Sequence, residues 1–113
     1  MSRAPTDTNN EVFDLEALAA NTLGDEGLAT EVLLMFNEQM TLVLTKLNGS
    51  SDPDEWGRLV HTLKGSARGV GACEIARVCE TIEGELQQQS FKGWSKLEDA
   101  IMRSRSFISG RVG

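Results

Sequence analysis

At 113 residues, with 40% apolar and 25% charged residues, the chain has the size and composition of one small globular domain. Its net charge of −6 argues against a nucleic-acid surface, which needs a basic excess, and favours solubility and a polar or mildly basic protein partner. No run approaches the roughly 18 consecutive apolar residues of a membrane span, and the N-terminus lacks an apolar signal core, so no membrane association and a cytoplasmic location are expected.

Residues 1–11 are polar and expected to be disordered. Asp14 has the place of a helix N-cap, with Glu16 in the first turn against the positive end of the dipole. A short helix then runs through Leu15, Leu18 and Ala19 and ends near Leu23-Gly24. Asp25 caps a long helix from about Glu26 to Leu47, whose apolar stripe is read as Leu28, Val32, Met35, Phe36, Met40, Val43 and Leu47. Leu33, Leu34, Leu42 and Leu44 widen that arc, which predicts a second contact with the first helix or with a partner protein.

Asn48-Gly49-Ser50-Ser51 forms a loop, and Asp52-Pro53-Asp54-Glu55 is a strong helix start, with a cap, proline at the first helical position and acids in the first turn. The helix that follows buries Trp56, Leu59, Val60, Leu63, Ala67 and Val70 and frays around Arg68-Gly69-Val70-Gly71. A fourth helix, from about Ala72 to Gln88, has Ile75, Cys79, Ile82 and Leu86 as its buried stripe. Ser90-Phe91-Lys92-Gly93 turns the chain into a fifth, from about Trp94, with Leu97, Ile101 and Ile108 inward and its end before Gly110. The pattern predicts an all-α domain over residues 12–110: an antiparallel up-down-up-down four-helix bundle with a short additional N-terminal helix as a lid. Trp56, Phe36, Trp94 and the methionines read as core.

Cys73 and Cys79 lie six positions apart on one helix, a rise of about 9 Å. Disulfide partners rarely have Cα atoms more than about 7 Å apart, so no internal bridge is expected. One histidine and two badly spaced cysteines do not make a zinc site, and no metal site is expected.

The chemistry concentrates on that single histidine, His61, in the middle of the third helix. Lys64, Gly65 and Arg68 share its face, with Gly57 and Arg58 one turn earlier. Two interior glycines forgo roughly 2 kcal/mol of helix stability relative to alanine. In return they leave space through which a bulky group or another protein surface can reach the imidazole, and the basic side chains suit an anionic arrival. Read physically, this is a histidine presented to a phosphoryl group.

His61-Thr62-Leu63-Lys64-Gly65-Ser66, with Gly71-Ala72 ten residues on, resembles the signature of the histidine-containing phosphotransfer (HPt) domain. The likeness extends through Val78-Cys79-Glu80-Thr81-Ile82-Glu83 on the next helix. It implies that the Nε2 of His61 accepts a phosphoryl group from, and donates it to, the aspartate of a response-regulator receiver domain, within a phosphorelay fed by a (hybrid) sensor histidine kinase. No cofactor of the chain's own is implied; Mg²⁺ belongs to the receiver. The protein would be a phosphoryl carrier, not an enzyme with turnover, and a monomer. Lys64 matches the family lysine that offsets charge on the phosphoryl oxygens, and Gly65 the glycine that clears room for them. Ser66 occupies a family position too, though a helix-interior serine also bonds backbone carbonyls. Arg68 is read either as a phosphate or receiver contact or as a solvated surface arginine. Glu83 stands where many members carry glutamine. It is either a hydrogen-bond acceptor for Nδ1–H of His61, fixing the tautomer that leaves Nε2 free, or a surface carboxylate. The docking face is expected to include Leu18, Leu34 and Leu42. The alternative function is a helical adaptor that binds a receiver or kinase without being phosphorylated.

Overall fold

Three aspartates open the first three helices. Asp14 Oδ1 accepts from Ala17 N at 3.1 Å, Asp25 Oδ1 from Leu28 N at 3.1 Å and Asp52 Oδ1 from Asp54 N at 3.0 Å, so each satisfies an otherwise unpaired amide. The computed structural model describes residues 11–112. The N-terminal segment expected to be disordered lies outside them except for Glu11. The elements are α1 (Leu15–Asn21), α2 (Glu26–Asn48), α3 (Pro53–Val70), α4 (Cys73–Gln87) and α5 (Ser95–Val112), with no strand among the described residues.

The four long helices close a ring: α2 packs on α3, α3 on α4, α4 on α5, and α5 back on α2. Their inward stripes supply the core, with Leu33, Met40, Val60, Leu63, Ala67, Ile75, Cys79, Leu97 and Ala100 fully buried. At one end, Trp56 packs edge-on against Trp94 (5.4 Å between ring centroids) and beside Phe91, and its indole N–H donates to the Ser50 carbonyl at 3.0 Å. This cluster ties the α2–α3 loop to the α4–α5 loop.

At the other end α1 is fixed to α3 by its backbone. Asp14 N donates to the Gly71 carbonyl at 2.7 Å, and the Asn21 side chain to the Gly69 carbonyl at 2.6 Å. Gly71 terminates α3 with φ of +80°, a left-handed cap. α4 has no side-chain cap; the Val12 carbonyl takes its second amide, Glu74 N, at 3.3 Å. Phe13 stacks on Phe107 of α5 at 4.6 Å.

Several sequence expectations need correction. On α2 the buried set is Ala29, Leu33, Phe36, Met40, Val43 and Leu47, whereas Leu28 and Met35 are exposed (39% and 68%). α2 carries apolar residues well beyond one face, so periodicity alone could not place the stripe. α1 covers the early turn of α2, where the inward residue is the small Ala29 beside Leu18 and Thr22. Met35 on α2 and Met102 on α5 are surface rather than core residues. Leu18, expected on a docking face, is 1% exposed and belongs to the core. α5 runs through Gly110 to Val112, whose side chain packs against the core. One interior glycine costs only about 1 kcal/mol, less than that packing returns.

Candidate functional site

α3 presents His61 on the side away from the core residues Val60 and Leu63, and its side chain is 70% exposed. Glu83, from the middle of α4, bridges two residues of α3. Its Oε2 lies 2.8 Å from His61 Nδ1 and its Oε1 2.6 Å from Lys64 Nζ. Glu83 and Lys64 are largely covered (21% and 15% exposed). Burial pushes the Glu83 carboxyl up, but the hydrogen bonds and charges of Lys64 and His61 outweigh it and hold the group below its ordinary value of 4.5. Glu83 is therefore a carboxylate at neutral pH and can only accept. The proton belongs on Nδ1, which donates to it, and the Nε2 lone pair is left free.

The two glycines flanking His61 are not forced by packing. A Cβ placed on Gly57 or Gly65 would meet nothing within 4 Å. The space over both is open, and the imidazole is approachable along α3 from either side.

Of the residues singled out by sequence, His61, Lys64 and Glu83 are brought into one hydrogen-bonded group, with Gly65 beside it. Arg68 is not part of it. Its Nη2 leans toward Glu80 Oε2 at 3.8 Å, and both side chains are more than half exposed, so the pair contributes well under about 1 kcal/mol. Ser66 is half-buried, with no side-chain hydrogen bond among the described residues. Two features escaped the sequence reading. The direct Lys64–Glu83 pair joins two helices, and no spacing rule within one helix reports it. The exposed line Leu28, Met35, Leu42, at i, i+7 and i+14 on α2, was legible as a heptad, but only Leu42 was expected on a docking face, while Leu28 and Met35 were read as core.

Neither cysteine is bridged. Burial, then the Glu83 charge, push the Cys79 thiol up to about 12, against Lys64, so it stays protonated and inert. Among the described residues no group of three or more His, Cys, Asp or Glu could hold a metal ion, and no helix is long and apolar enough to cross a membrane.

Comparison with curated proteins and with solved structures yields no match. A family model described as the Hpt domain matches residues 28–106, more than two thirds of the chain and the whole of α3 and α4. The chain thus belongs to the Hpt domain family, the phosphocarrier modules of two-component signalling.

Proposed function

We propose that His61 is the phosphoryl acceptor and donor of a phosphorelay, exchanging the group with the aspartate of response-regulator receiver domains and receiving it within a pathway headed by a (hybrid) sensor histidine kinase. The observation that carries this reading is the fixed imidazole. Nδ1 is held by a carboxylate at 2.8 Å while the rest of a 70%-exposed ring faces open space. Nε2 attacks the phosphorus of an aspartyl phosphate, forming the P–N bond as the P–O bond breaks and a carboxylate leaves. The ring keeps its Nδ1 proton and becomes an imidazolium, and Glu83 stabilises that positive charge. On return transfer the electron pair of the P–N bond goes back to Nε2. Gly65 leaves room for the phosphoryl oxygens and the partner surface. Lys64 keeps Glu83 ionised and so supports the phosphoryl-bearing ring through that carboxylate. Arg68 serves the rim of the interface.

The chain needs no cofactor for this step; Mg²⁺ and the acceptor aspartate belong to the receiver. It acts as a carrier without turnover, as a cytoplasmic monomer on an up-down-up-down bundle whose short loops and closed helix ring favour that topology. The receiver docks over the His61 face and the exposed line Leu28, Met35 and Leu42. Thr41, Leu44, Thr45 and Asn48 of α2 border α5. The Leu28 line lies on the opposite flank, toward α3, at 100° per residue. Leu34 is exposed as well but lies one position off this line.

The test is to mix the protein with a phosphorylated receiver. An acid-labile, base-stable label on this chain, lost in His61→Gln, is the expected result. Complex formation without label would replace this reading with an adaptor role.

A further inference from the structure

The cations expected to meet a phosphoryl group on His61 are both turned toward α4. Lys64 Nζ is held at 2.6 Å by Glu83, and Arg68 leans to Glu80. Successive residues of a helix advance by about 100°, so Lys64, three positions after His61, is rotated about 60° from it toward α4. Arg58, three positions before, is rotated about 60° in the opposite sense. The ring itself is oriented. Nδ1 faces α4 because Glu83 holds it, and the two ring nitrogens diverge, so the Nε2 lone pair aims away from α4, to the flank that carries Arg58. A helical side chain also lies back over the turn before it, which for His61 is the turn of Gly57 and Arg58. Gly65, four positions after His61, is rotated about 40° from it to the Arg58 side, and a Cβ there would meet nothing within 4 Å, so that flank is open. Arg58 is exposed and has no ion pair or side-chain hydrogen bond among the described residues.

We propose that Arg58 is the cation that meets the phosphoryl group on His61 Nε2, while Lys64 remains committed to Glu83. The inference rests on His61 being the phosphoryl acceptor. It divides labour between the two flanks of the ring: a Glu83–Lys64 pair fixes Nδ1 and balances the imidazolium, and a guanidinium on the Nε2 side receives two phosphoryl oxygens through its planar fork. When the P–N bond forms and the carboxylate of the donor leaves, the phosphoryl oxygens keep their negative charge, and Arg58 offsets it without changing partners.

The experiment uses the full chain and inorganic phosphoramidate as a small phosphoryl donor, so that partner docking plays no part. Phosphorus NMR follows the phosphohistidine signal, its rate of appearance and the pH midpoint of the phosphoryl group's last ionisation. A neighbouring cation lowers that midpoint. Arg58→Ala is expected to slow loading on the order of 3–10-fold, the size of one solvent-exposed charge-assisted contact, and to raise the midpoint. Arg58→Lys recovers part of both effects, and Lys64→Ala moves the midpoint less than Arg58→Ala does. The helical circular dichroism of Arg58→Ala stays at the wild-type level, which separates the effect from unfolding. A midpoint shift in Arg58→Ala no larger than that in Lys64→Ala, or no shift at all, overturns the assignment of Arg58 alone. Absence of a phosphohistidine signal in the wild-type chain, matching His61→Gln, overturns the acceptor reading itself and the assignment with it.

Discussion

Glu83 Oε2 stands 2.8 Å from Nδ1 of His61, and the other oxygen of the same carboxylate is engaged by Lys64, so the acid is held from both ends. A carboxylate so held does not swing away when the ring changes charge. It fixes one tautomer before transfer and faces an imidazolium after it. The lysine and the non-reacting ring nitrogen bracket the carboxylate.

Removing the carboxylate should slow chemistry without unfolding the bundle. In Glu83→Ala the ring loses its orientation and the phosphoimidazolium loses its counter-charge. Transfer at saturating receiver is expected to fall about tenfold, in line with one hydrogen bond to a charged group. Glu83 and Lys64 are largely covered, and losing the carboxylate leaves the ammonium without its partner, so stability should fall by about 1–2 kcal/mol with the bundle still folded. Stopped-flow or gel-based transfer kinetics read the first quantity and urea unfolding the second. Unchanged kinetics at saturating receiver would remove Glu83 from the mechanism.

The same pair ties stability to pH. The folded-state pKa of Glu83 lies below the ordinary 4.5, so the folded protein binds that proton less tightly than the unfolded chain does. The stabilisation is complete above pH 4.5 and is lost as pH falls through the lowered folded value. Wild type should therefore exceed Glu83→Gln in urea midpoint at neutral pH, with the gap closing only below pH 4.5. The other carboxylates titrate in both proteins and cancel. A gap that stays constant to low pH would show that the ion pair adds nothing to the fold.

The exposed heptad on α2 offers a test of docking. Met35 is 68% exposed, so Met35→Glu should shift stability by no more than about 0.5 kcal/mol. If the receiver covers this line, its Kd should rise at least about fivefold, the equivalent of about 1 kcal/mol at an apolar contact. Leu34→Glu, off the line, should leave Kd nearer the wild-type value. Titration calorimetry with a cognate receiver distinguishes the two. Equal effects from both substitutions would place the interface elsewhere.

The helix order and most inward stripes were legible because caps and 3.6-residue periodicity are local signals. Asp14, Asp25 and Asp52 all serve as caps where the sequence placed them. α2 resisted because its apolar residues cover more than one face, and only the position of α1 decides that Ala29 goes in and Leu28 stays out. The end of α5 was missed because Gly110 looks like a stop, whereas the packing of Val112 lies outside any local window. At the site, His61 and its flanking glycines stand in one segment and could be read directly. The Lys64–Glu83 contact spans two helices and depends on their register, and the turn of Arg68 toward Glu80 depends on the same register.

That register is set in part at Gly71, which joins α3 to α4 in a left-handed conformation with φ of +80°. A Cβ there would stand 2.6 Å from the Asp14 carbonyl oxygen and 3.3 Å from Leu18 N, both backbone atoms of the segment that anchors α1. Neither can move without breaking the Asp14 N to Gly71 carbonyl bond. Gly71→Ala thus combines a strained φ with a steric clash and should cost about 2–4 kcal/mol. Gly69, two residues earlier and inside α3, would place a Cβ within 4 Å of nothing. There alanine removes backbone entropy from the unfolded chain, and Gly69→Ala should stabilise by about 0.4–1 kcal/mol. Urea unfolding of the two variants beside wild type gives opposite signs if the α1 anchor closes on Gly71 as described. A Gly71→Ala protein as stable as wild type would mean that α1 is free to shift off the α3–α4 junction.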